Sequence, residues 1–142
     1  MSLTMTAKPP RFQLNRGLVS LRYKTPYIEW IKHAGESPLE MTLDQANNDG
    51  EAFLLPTFEA SKDPVDGTED AVKWVEKRWR MLFEHVLRAW ILDESTWPQK
   101  RTLKMFHQWF DIEYKSIVWD MGSDPLEIDE WDDDVDEDSF LH

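Results

Sequence analysis

The chain has 142 residues, with 28 Asp/Glu against 16 Lys/Arg and a formal net charge of −12. That length suits one domain around a single core, and eight Trp, seven Phe and three Tyr supply its bulk. The absence of Cys excludes disulfides, thiolate zinc sites and cysteine nucleophiles. No apolar run reaches the roughly 20 residues of a membrane span, and the net charge opposes binding to nucleic-acid phosphates.

Charge is unevenly distributed. Residues 1–34 hold six Lys/Arg and one Glu, whereas residues 123–142 hold ten Asp/Glu and neither Lys nor Arg. The first residues lack the basic, apolar, small-residue order of a signal peptide, so a cytoplasmic location is expected.

Taken in chain order, Lys8-Pro9-Pro10-Arg11 reads as an extended arm. Leu18–Tyr23 alternates apolar and polar residues as a strand does. Thr25 as N-cap and Pro26 at the first helical position open a helix through Trp30 that stops at Gly35. Thr42 and Gln45 form a capping box for a short helix, and Ala52–Leu55 is a brief apolar strand stopped by Pro56. Residues 60–67 form a loop punctuated by Pro64 and Gly67.

From Thr68 to about Leu92 there is neither Pro nor Gly, which predicts one long helix. Val72, Val75, Trp79, Leu82, Phe83, Val86, Leu87 and Trp90 make a broad stripe, and Trp74, Met81, His85 and Leu92 a second. Glu76–Arg80 and Glu84–Arg88 have the spacing of favourable helical ion pairs. Covering both stripes makes this helix the centre of the fold. Thr102 caps a further short helix carrying Leu103, Phe106 and Phe110, and 112–119 alternates as a strand whose apolar far end, Ile117 and Trp119, should be covered. The tail repels itself, and Leu126, Ile128, Trp131, Val135 and Phe140 are too sparse for a core.

The expected architecture is α+β: a small antiparallel sheet, near 17–24, 51–56 and 111–120, packed against one long central helix and two or three short helices. Its expected division is an extended N-terminal arm at 1–14, a globular domain at 15–122 and an acidic, flexible tail at 123–142.

One stretch carries a pattern: Asp93-Glu94, then Trp97-Pro98, Arg101-Thr102, Phe106, Trp109-Phe110, Tyr114, Ser116, Val118 and Asp120. With Pro26–Ile31 and Phe53–Pro56 in front, it resembles a family of small uncharacterised bacterial proteins over roughly residues 15–127. The resemblance implies a compact cytosolic domain and no particular chemistry.

Physically, the stretch admits two readings. Trp97-Pro98 can plug the end of the long helix, with Arg101 tied to Asp93, Glu94 or Asp120 and the Phe rings in the core. Aromatic residues at helical spacing favour this reading. Alternatively, Trp97, Arg101 and Trp109 line a cleft where Arg grips a carboxylate or phosphate.

Other chemistry finds little support. His107, Asp111 and Glu113 lack a zinc-binding motif, and His85 reads as a packed histidine. Ser95 and Ser116 lack a nucleophile-elbow context, and glycine-rich phosphate motifs are absent. Asp132, Asp134 and Asp136 imitate the start of a calcium loop, but Glu137 stands where glycine is needed. These residues call for no cofactor or metal. The expected function is a non-enzymatic interaction or regulatory protein with a protein partner or a second copy of itself, acting on neither nucleic acid nor membrane. The rival is an enzyme or small-ligand binder using Trp97 and Arg101 with Asp93, Glu94 or Asp120.

Overall fold

A computed structural model describes residues 9–34, 40–59 and 62–130. Lys8 of the arm, the helix stop at Gly35, the start of the loop at Ala60 and the tail positions from Trp131 onward, with their calcium-like aspartates, lie outside these residues. The chain divides into two units, Gln13–Trp119 and a terminal unit made of residues 1–12 and 120–142.

The elements run β1 (Phe12–Gln13), β2 (Gly17–Tyr23), α1 (Thr25–Ala34), α2 (Leu43–Asn48), β3 (Ala52–Leu55), α3 (Thr68–Lys77), α4 (Trp79–Trp90), a 3-10 turn (Glu94–Thr96), α5 (Leu103–Trp109), β4 (Phe110–Lys115) and β5 (Trp119–Asp120). The fold is α+β. Its main sheet has the order β3-β2-β4, antiparallel throughout, and β1 pairs separately with β5. Register places Gly17 opposite Leu55 and Leu18 opposite Lys115, so β2 begins where β3 and β4 end.

Alternation along β2 sends Val19, Leu21 and Tyr23 inward, where all three are buried. They join α1 through Tyr27, Ile28 and Ile31, α4 through Leu82, Phe83, Val86 and Leu87, and Phe106 and Phe110 around α5. Phe83 brings α4 into the aromatic cluster. Its ring centroid lies 5.2 Å from Phe110, 5.3 Å from Trp109 and 6.0 Å from Phe106. Edge-to-face and tilted contacts at these separations add to the burial energy of the rings.

The expected caps at Thr42 and Thr102 form, whereas Thr25, expected to cap α1, is its first residue. Thr42 accepts from the Gln45 N–H while Gln45 accepts from the Thr42 N–H, and Thr102 accepts from the Met105 N–H. The expected continuous helix over 68–92 does not form. It is interrupted at Arg78, with φ −117° and ψ 19°, between α3 and α4. There the Arg78 N–H turns to the Val75 carbonyl at 2.9 Å, tightening the last turn of α3. The second apolar stripe is covered only in part: Met81 is 54% and Leu92 75% exposed, whereas Trp74 packs against the core and His85 is partly buried.

The expected strand over 112–119 is split as well. β4 ends at Lys115, and Ile117 and Trp119 are exposed instead of covered. Glu76, spaced for Arg80, meets His107 on α5 at 2.7 Å instead, while Arg80 lies over the Trp79 ring.

Within the terminal unit, Pro9, Pro10, Arg11, Phe12 and Met121 surround a shallow recess. Asp120 accepts from the Gly122 N–H at 2.8 Å. Residues 123–130 are exposed and carry neither helix nor strand.

Candidate functional site

The Trp97 segment is built by local hydrogen bonding. Asp93 accepts from the Ser95 N–H at 3.0 Å and the Ser95 hydroxyl at 2.7 Å, which starts the 3-10 turn. Those bonds, the hydroxyl's first, hold its carboxyl below the usual aspartate range. The Trp97 ring is 3% exposed, and its Nε1 donates to the Ile91 carbonyl at the end of α4. This satisfies one of the carbonyls that a helix terminus leaves open.

Arg101 donates through Nη1 to the Pro98 carbonyl at 2.8 Å and through Nη2 to Glu84 at 2.7 Å. Its acid is therefore Glu84 of α4, not Asp93, Glu94 or Asp120. Arg88, from the next turn of α4, reaches Glu94 at 3.6 Å. The Arg88 and Arg101 guanidinium groups lie 5.4 and 5.7 Å from the Trp97 ring centroid. Both distances fall within the range of cation–π attraction.

Glu94, Trp97 and Arg101 thus meet, together with Ser95 and Gln99, at an open recess of about 500 Å³. Trp109 does not line it. That ring faces Tyr27, Trp30 and Phe83 instead. Asp93 serves the turn, and Asp120 belongs to the terminal unit. Sequence reasoning missed Glu84 and Arg88 as partners here. Their spacing is that of a helical ion pair, and nothing in the sequence marks either for a residue beyond the helix.

A second concavity of about 660 Å³ lies at the end of the main sheet where β2 begins and β3 and β4 end. Residues 13–15, 57–59, 65–67, 114, 116 and 117 line it. Val65 is buried at 3%, whereas Phe58 is 64% and Ile117 56% exposed. Tyr114 stands close to the β2 backbone, and a Cβ at Gly17 would lie 2.9 Å from its ring, so glycine permits this approach. Gly67, with φ 109°, makes the left-handed entry to α3, and the Asp66 N–H donates to Asp70 at 3.0 Å. The charged residues lining this groove are Glu59 and Asp66. No sequence signal placed these four segments together.

A third polar cluster is interior. The Tyr27 hydroxyl lies near Tyr23, Glu51 and Trp90 but makes no well-aligned hydrogen bond, and Tyr27 is fully buried. Burial, with the negative charge of its neighbours, pushes its ionisation well above the usual tyrosine value, and burial raises Tyr23 as well. Glu51 also approaches His85 to 3.1 Å, and Phe53 presents its edge to the His85 ring. Among the described residues, no group of three or more His, Asp or Glu is placed to hold a metal ion. No described helix is long and apolar enough to cross a membrane.

Comparison with protein-family models, curated proteins and solved structures gave no match.

Proposed function

We propose that this chain is a small cytoplasmic, non-enzymatic interaction module whose binding surface is the groove at the end of the main sheet. The observation that carries the reading is the placement of Phe58 and Ile117. Two large apolar side chains, each more than half exposed, line one concavity with Val65 beneath them. Exposed apolar residues scattered singly are ordinary, but their convergence on a concave surface favours binding. Membership of the bacterial family that the Trp97–Asp120 pattern resembles is part of the same proposal.

The test compares what co-purifies with the full chain, with Phe58→Ser/Ile117→Ser and with a chain lacking 123–142. The groove variant should lose partners that the unaltered chain retains, with an unchanged melting curve because both residues are exposed. Equal recovery from the groove variant refutes the reading.

A second reading has its own observation. Glu94, Ser95, Trp97, Gln99 and Arg101 share a recess, so an anionic ligand can be imagined there. It would have to draw Arg101 from Glu84, which already holds it at 2.7 Å. Titration with inorganic phosphate, followed through the Trp97 indole N–H resonance, decides this reading. A saturable shift that Arg101→Gln abolishes supports it, and no shift removes it.

A further inference from the structure

We infer, resting on the groove reading above, that the segment received there is a polypeptide stretch in which an apolar side chain stands next to Lys or Arg. The wall combines apolar area from Leu14, Phe58, Val65 and Ile117 with two acids, Glu59 and Asp66. Among the described residues lining it there is no Lys or Arg, and neither acid forms a salt bridge with a described residue. Asp70, whose carboxylate receives the Asp66 N–H, adds a third negative charge beside the start of α3. Carboxylates beside low-dielectric apolar walls attract a cation and repel phosphate or acidic peptide.

Shape selects a polypeptide. Small-molecule pockets enclose most of their ligand's surface, whereas Phe58 and Ile117 remain more than half exposed at the groove walls. A chain segment can cover both while placing one side chain over Val65 and an adjacent ammonium or guanidinium near Glu59 or Asp66. The acids give the contact its specificity and its salt dependence, and the apolar walls supply most of the affinity.

The experiment is selection of a random peptide display library on the full-length protein, followed by affinity measurement of the enriched peptides. Enriched sequences should pair an apolar residue with Lys or Arg and should fail to bind Phe58→Ser/Ile117→Ser. Glu59→Gln/Asp66→Asn should weaken them about tenfold, an effect that high salt removes. Peptides that need Phe58 and Ile117 but carry no basic preference, or ignore Glu59→Gln/Asp66→Asn, overturn this inference and leave the groove as a binding surface. A selection that yields no peptide sensitive to Phe58→Ser/Ile117→Ser overturns both.

Discussion

The guanidinium of Arg78 donates to the backbone carbonyl of Trp74 at 3.1 Å, taking the acceptor that an unbroken helix would pair with Arg78's own N–H. The same group lies 3.8 Å from the Trp74 ring centroid and donates to Asp63 at 2.7 Å. One side chain therefore substitutes for the backbone bond at the α3–α4 junction and ties that junction to the preceding loop. Arg78→Ala should cost about 1–2 kcal/mol, from a lost charged hydrogen bond and lost stacking at a partly exposed site. Urea denaturation measures it, and Arg78→Lys should recover little because an ammonium cannot fork between two acceptors and also stack.

Asp63 gives that junction a pH dependence. Hydrogen bonds from Arg78 and then Lys77 hold its carboxyl below the ordinary value of 3.8. A depressed folded-state value contributes stability above the unfolded value, and the contribution is lost as pH falls through the folded one. Asp63→Asn should therefore flatten the acid limb of stability below about pH 3.8 and lower stability at neutral pH. Melting temperature against pH for the two proteins is the measurement.

Tyr27 predicts the opposite limb. Its buried hydroxyl lacks a well-aligned partner, and its ionisation is raised above 10.0. A raised value means stability that is complete below the unfolded value and lost as pH rises beyond it. Tyr27→Phe should raise stability at neutral pH by about 1 kcal/mol, because an unsatisfied buried group is removed without changing shape. It should also move alkaline unfolding to higher pH, read by circular dichroism alongside tyrosinate absorbance.

Arg101 and Glu84 should behave as a coupled pair. The Arg101 side chain is 16% exposed, and its Nε is buried without a partner. Glu84→Ala leaves a half-satisfied guanidinium beside Trp97 and should cost about 1–3 kcal/mol, less than a fully buried pair would lose. Arg101→Met should cost less, since Glu84 retains access to water. The double variant should lose about 1 kcal/mol less than the sum of the single losses in a double-mutant cycle. Additive losses would show that the pair is merely adjacent.

Features legible in the sequence were those whose causes lie within a few residues. Thr42 with Gln45 and Thr102 with Met105 satisfy helix N–H groups three positions ahead, and the alternation of Val19, Leu21 and Tyr23 needs only the pleat of a strand. The inward stripe of α4 follows from helical periodicity in the same way. The recess around Trp97 was partly legible, because Glu94, Trp97 and Arg101 are near neighbours in sequence. Trp109 and Asp120 were placed with them by pattern alone, and neither lines that recess.

Local sequence thus determined the α+β class, the starts of every helix but α4, the three main strands and the apolar residues available for a core. Tertiary structure alone decided where the long helix breaks, because Arg78 finds Asp63 only across a separation of 15 residues. It also decided which acid meets Arg101, across 17 residues, and which four segments close around Phe58 and Ile117. Periodicity records which face of an element is apolar. It carries no information about the distant group that will meet a long charged side chain, nor about which apolar face will find no cover.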